Sequence, residues 1–308
     1  MERSDEGDAT DGERPDRRRP SSRVARNRER RAHEFLNAAS HIVIDEGFEA
    51  LTMARLAREL DTAVGSVYRY YPSKDHLFAA VQGRAVERLS ASFDHSVPAL
   101  VAAVRAEVGE EVAPVVPLAV LGRWACSAAV VLPEEIRLLQ MVSARRNSAL
   151  GPGGGDALVP VVMDFVGRVV QVIDEATAAG ALEPAPALSR AILWLTGLGG
   201  VLQADDLEPY LPDLLGHQLL ARQYTIDLAV GWGADRSAME ALDRHLDRVA
   251  AEGPLARRSH GPLRPGVSPT SAGDQPAVTP PGRNHRTGAR VGWVDPTSRH
   301  RPRPGRWR

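Results

Sequence analysis

The stretch TMARLARELDTAVGSVYRYYPSK, residues 52–74, constrains this chain most, because it reads as two short helices joined by a tight turn, with a third helix starting at its end. Thr52 offers a hydroxyl as an N-cap, and Leu56, Ala57 and Leu60 then fall on one face at helical spacing. Ala57 is small where two helices would cross. Past the turn at Asp61 and Thr62, Val64 and Val67 repeat the apolar spacing and leave Gly65, Ser66, Tyr68 and Arg69 on the other side. Small, hydroxylated, aromatic and cationic side chains on one face suit a major groove: they permit close approach, then supply donors to phosphates and base edges. Pro72 stops this helix and Ser73 caps the next, which places Lys74 in its first turn. The pattern predicts a helix-turn-helix; the competing reading is a helical hairpin that only packs a core.

At these residues the chain resembles the TetR family of transcriptional regulators. The likeness is carried by Thr52, by Leu56-Ala57, by Gly65-Ser66-Val67-Tyr68, and above all by Tyr70-Tyr71-Pro72-Ser73-Lys74-Asp75-His76-Leu77. It extends over about residues 23 to 235. Two positions depart from the family pattern: Asp61 stands where a Gly usually makes the turn, and Ala63 where a Ser usually caps the recognition helix. Asp tolerates the left-handed conformation better than most residues, and the missing cap costs about 1 kcal/mol unless Thr62 substitutes.

The resemblance implies an all-α fold. An N-terminal three-helix DNA-binding domain with the helix-turn-helix spans residues 23–72, and a helical-bundle ligand-binding and dimerisation domain spans 73–252. It further implies a homodimer on a pseudo-palindromic double-stranded DNA operator, acting as a repressor that an unidentified small-molecule ligand releases. An activator of the same family, or a helical partner-binding protein without ligand control, are the alternatives. DNA contacts are expected from Arg26, Thr52, Thr62, Ala63, Gly65, Ser66, Tyr68, Arg69, Tyr70 and Lys74. Lys74 and Tyr70 would hold phosphates, while Ser66, Tyr68 and Arg69 approach base edges.

Charge is distributed in keeping with this. The 308 residues have a net charge of −1, but residues 23–88 carry 11 Lys or Arg against 9 Asp or Glu, residues 89–252 carry 11 against 21, and residues 253–308 carry 11 against 2. Basic ends around an acidic middle fit a DNA-contacting head, a body that avoids DNA, and a basic tail. A single cysteine, Cys126, excludes an internal disulfide framework and agrees with a reducing, cytoplasmic and nucleoid-associated setting. The longest uncharged run, between Arg190 and Asp205, falls short of the roughly 20 residues of a membrane span, so no membrane partner is expected.

Along the chain, residues 1–22 are charged, lack apolar periodicity and are expected to be a disordered arm. A first helix over residues 23–46 carries the stripe Phe35, Ala39 and Ile42, with Gly47 as its stop and Phe48 folding back onto Val43. A helix over about 73–92, with Leu77, Phe78, Val81, Ala85 and Leu89 inward, links head to body. Amphipathic segments follow at about 97–108, 115–131, 134–148, 157–179, 187–203, 212–232 and 236–251, most with a proline near the start. Residues 187–203 and 211–232 are apolar on more than one face, so Leu195, Leu198, Leu202, Leu215, Leu219 and Ile226 are the expected dimer contacts. A monomer's own core is the alternative reading. Arg123, Trp124, Cys126, Arg137, Met141, Phe165 and Val169 are candidates to line a mostly apolar ligand pocket. Residues 253–308, rich in Pro, Gly and Arg, are expected to form a disordered basic tail.

Enzymatic chemistry is not expected. Residues 151–155 are glycine-rich but lack the Lys-Ser/Thr of a phosphate loop, and no nucleophile elbow occurs. His33-Glu34 lacks a second histidine, Cys126 has no neighbour at ligand spacing, and Asp205, Asp206 and Glu208 read as a solvated loop, so neither metal nor cofactor is anticipated.

Overall fold

Gly47 decides where the first helix stops. At φ +85° it takes a conformation that glycine adopts freely, closing α1 (Ser22–Glu46) and turning the chain into a single 3-10 turn, Phe48–Ala50. In the computed structural model, which describes residues 22–144, 154–203 and 217–258, nine further α-helices follow and no strand occurs among the described residues. They are α2 (Met53–Glu59), α3 (Val64–Tyr70), α4 (Lys74–Glu107), α5 (Val116–Val131), α6 (Pro133–Ala144), α7 (Gly154–Ala178), α8 (Ala187–Leu202), α9 (His217–Gly231) and α10 (Arg236–Ala251). The fold is all-α, with the helix-turn-helix at its N-terminal end. The expected arm up to residue 21, Gly151 to Gly153 of the glycine-rich loop, Asp205, Asp206, Glu208, Leu215 and the tail from residue 259 lie outside the described residues.

Two apolar cores organise the chain, and α4 belongs to both. Leu77, Phe78, Val81 and Ala85 pack with Phe35, Ala39, Ile42, Val43, Leu51, Leu56, Ala57 and Val67 of the head. Val86, Leu89, Phe93, Val97 and Val104, further along α4, pack into the body with α5, α7, α8, α9 and α10. Leu138 of α6 is buried in the head core and Met141 packs against it, so the body also reaches back to the head. Phe48 turns inward as expected, but its ring meets Phe78 edge to face, 4.7 Å between centroids.

The sequence reading broke α4 at Pro98, whereas the helix runs unbroken for 34 residues with Pro98 inside it. A mid-helix proline leaves the carbonyl four residues back without its N–H. Here both Pro98 and Asp94 are exposed, so water can take that carbonyl, while buried Val97 and Val104 on the other face hold the two halves in one core. Arg168 of α7 grips Asp94 in a two-pronged ion pair at 2.7 and 2.8 Å, bracing α4 one turn before the proline.

The segment Ala113–Val131 is long and apolar enough by composition to cross a membrane, a feature that counting charge-free runs missed because Arg123 interrupts it. Two-thirds of it is buried among the body helices, which accounts for its being apolar nearly all round. Order also continues beyond the expected boundary at 252. Leu255 and Ala256 are buried, the Ala256 N–H donates to Ser127 Oγ at 2.9 Å, and Arg258 Nε donates to the Val131 carbonyl at 3.0 Å.

Candidate nucleic-acid interface

The turn between α2 and α3 is built by backbone hydrogen bonds that only a left-handed residue permits. Asp61 sits at φ +45°, and its N–H reaches the Arg58 carbonyl at 3.2 Å while the Thr62 N–H reaches Ala57 at 2.9 Å. This pair of bonds caps α2 and sets the direction of α3. Thr52 caps the other end of α2, its Oγ1 accepting from the Arg55 N–H at 3.1 Å. Ala63 leaves α3 without a side-chain cap, and Thr62 does not replace it. Leu56, Ala57 and Val67 are fully buried where the two helices meet, whereas Val64 lies 38 % exposed on the overhanging first turn of α3.

The opposite face of α3 is open. Ala63, Gly65, Tyr68 and Arg69 are exposed, and Ser66 and Thr62 half-buried beside them. A Cβ added to Gly65 would meet nothing of the protein within 4 Å. The space its missing side chain leaves is therefore available to an outside partner. Tyr70 is half-buried, its ring edge-on to Phe35 at 5.2 Å, while neighbouring Tyr71 is buried with its hydroxyl donating to the Ala32 carbonyl at 3.4 Å. Burial pushes the Tyr71 phenol well above its ordinary range.

Lys74 stands at the edge of this face, its Nζ 3.8 Å from the centre of the Phe48 ring and 3.7 Å from Glu49 Oε2. The Ser73 hydroxyl caps α4 by accepting from the His76 N–H at 3.3 Å. Arg26 lies in the run of exposed residues 23–30 on the first turns of α1. Arg55 is committed to a two-pronged ion pair with Glu46, whose carboxyl it holds below the usual carboxylate range.

The expected pocket residues gather only in part. Trp124, Cys126, Phe165 and Val169 share the body core, where Trp124 meets Phe93 edge-on at 5.2 Å and Phe165 at 6.3 Å. Burial pushes the Cys126 thiol up to about 11. Trp124 Nε1 and the hydroxyls of Ser92 and Ser96 are buried in this region without hydrogen-bond partners. Arg123 turns the other way, pairing with Asp247 at 2.7 Å and Asp243 at 3.6 Å on α10, beside a gap of about 10 Å³ that holds one water at most. Arg137 is exposed and Met141 belongs to the head core. Phe93 was missed because the sequence reading ended the linking helix near residue 92.

The expected dimer residues also divide. Leu198, Leu202 and Ile226 are buried inside the protomer, and Leu195 is half-buried against the same core. Leu219 is 63 % exposed, and α8 presents Leu188, Ile192 and Leu193 to solvent, none of which the spacing had singled out. Within the protomer, Gly197 makes room for Tyr224, whose hydroxyl occupies the place of a Cβ there and donates to the Leu193 carbonyl at 2.8 Å.

A left-handed turn between a capped short helix and a second helix with one buried and one open face defines a helix-turn-helix protein. Comparison with known sequences places it more closely. Residues 35–81 match the bacterial regulatory proteins of the tetR family. The HTH-type transcriptional repressors KstR of Mycolicibacterium smegmatis and Mycobacterium tuberculosis are each 44 % identical over 69 residues, 22 % of this chain and 33 % and 31 % of theirs. The likeness thus rests on the N-terminal domain, whose helix-turn-helix is similar to that of the tetR family. The chain spans about a third of the length of the relatives it matches. Among solved structures, a Rhodococcus protein of unknown function is similar with a TM-score of 0.49 and 17 % identity, over 66 % of this chain and 95 % of that one. RolR solved without ligand is similar at 0.48 and 13 %, over 74 % and 100 %.

Proposed function

We propose that this chain is a transcriptional repressor that binds a pseudo-palindromic operator as a homodimer and is released by a small molecule held in its body. The observation that carries the reading is the open face of α3, where Gly65, Tyr68 and Arg69 are exposed beside a hydrogen-bonded turn. One such helix spans too few base pairs for specificity, so two heads related by a two-fold axis are needed. The exposed Leu188, Ile192, Leu193 and Leu219, with half-buried Leu195, supply an apolar face for that pairing. The ligand is assigned to the body core around Phe93, Trp124 and Phe165, where unpartnered Ser92, Ser96 and Trp124 groups await polar atoms. The chain acts by binding rather than as an enzyme, and its place is with DNA in the cytoplasm.

Gel-shift titration of the purified chain against DNA from upstream of its own gene tests this. A single retarded fragment, resistant to excess unrelated DNA, is expected. Equal affinity for every fragment would remove the operator from the reading.

A further inference from the structure

A cleft of about 240 Å³ opens between α1, α4 and α6, away from the aromatic core of the body, and its polar groups are incompletely paired. Arg88 Nη1 donates to Glu135 Oε1 at 2.7 Å, and the pairing stops there. The Glu135 side chain is 3 % exposed, and its second oxygen has no hydrogen-bond partner. Across α4, Arg84 Nη1 donates to the neutral amide oxygen of Asn37 at 2.6 Å, and among the described residues no carboxylate lies within ion-pair distance of it. Its Nε is buried and unpartnered. Burial first, and the neighbouring Arg88 next, disfavour the charge on this guanidinium.

A buried guanidinium edge without an acceptor and a buried carboxylate oxygen without a donor both cost free energy in the empty site. One ligand can satisfy both. A carboxylate matches the planar fork of an arginine, and a hydroxyl or ammonium close to that carboxylate supplies the donor that Glu135 lacks. The lining balances two arginines against Glu134 and Glu135, so it suits a monoanion or zwitterion and holds no excess charge for a phosphate. The volume is below the roughly 300–1,000 Å³ of sites for drug-sized molecules, which favours a smaller occupant.

We propose that this cleft binds a small hydroxy acid or amino acid, its carboxylate on Arg84 and its hydroxyl or ammonium on Glu135. Its walls come from α1 of the head, α6 of the body and the α4 that joins them, so an occupant bears on the seam between the two cores.

Calorimetric titration of the full chain with L-lactate and with L-serine tests the proposal, with propionate, which lacks the donor, and 1,2-propanediol, which lacks the carboxylate, as controls. Lactate or serine should saturate one site per chain in the millimolar range or tighter, propionate should bind about tenfold more weakly, and the diol not at all. Arg84→Gln should abolish lactate binding, and Glu135→Gln should weaken serine more than lactate. If Arg84→Gln does not fold, Arg84→Lys keeps the charge without the fork and should still lose about tenfold. No saturation by either acid, or lactate binding unchanged in the arginine variants, overturns the assignment.

Discussion

At the scale of single residues, the head keeps its geometry with two chemically imperfect choices. Asp61 holds a left-handed turn that glycine would hold without strain, at a cost of about 1 kcal/mol or less, because its short polar side chain tolerates that conformation. Ala63 leaves an N-terminal amide of α3 uncapped. Ala63→Ser should therefore raise unfolding free energy by about 1 kcal/mol in denaturant titration, with no change in the slope of the transition. Arg69 and Lys74 differ in what they can read. Arg69 is exposed on the open face of α3, whereas Lys74 is steadied over Phe48 and beside Glu49 at its edge. Lys74→Ala should weaken all DNA sequences alike and lower the salt slope by about 1; Arg69→Ala should also relax sequence preference. Binding isotherms of both variants at several salt concentrations distinguish these roles.

At the scale of elements, α4 and α8 matter most. Helix α4 contributes one end to the head core and the rest to the body, so any tilt imposed on it in the body reaches the helix-turn-helix through Leu77, Phe78 and Val81. Helix α8 satisfies its own protomer with Ala191, Trp194, Leu198 and Leu202 and leaves Leu188, Ile192 and Leu193 about half exposed on its other side. A glutamate introduced into that second side meets water in a monomer and a buried apolar surface in a dimer. Ile192→Glu or Leu219→Glu should thus yield folded monomers by light scattering that have lost operator affinity, while helical content and melting stay close to wild type. Wild-type chain that is monomeric at micromolar concentration would contradict the dimer reading.

For the whole molecule, the boundary between packed chain and basic tail lies further along than composition suggests. Truncation after Glu252 removes Leu255 and the hydrogen bonds of Ala256 and Arg258 to α5, and burial of one leucine alone is worth about 1.5–3 kcal/mol. That truncation should lower the melting temperature. Ending the chain after Arg258 should not, although it removes nine arginines against two acids and so should weaken salt-sensitive, nonspecific DNA binding. Melting curves of the two truncations, with DNA binding at low and high salt, separate stability from charge.

The helices and the helix-turn-helix were legible in the sequence because they depend on near neighbours: caps at Thr52 and Ser73, stops at Gly47 and Pro72, and apolar residues three and four apart. Local rules also placed Gly65, Tyr68 and Arg69 on the face away from Val67. Whatever depends on which face meets which partner was decided only by the tertiary structure. Helical spacing marks Leu198 and Leu193 alike as apolar, yet one is core and the other surface, because α7 and α9 pack against α8 without covering all of it. Arg123 and Trp124 are adjacent in sequence and point to different neighbours, one to Asp247 and the other to Phe93. Continuity of α4 through Pro98 followed from long-range packing outweighing a local helix breaker. The half-paired Arg84 and Glu135 are 51 positions apart in sequence, and only the crossing of α4 with α6 brings them to one cleft.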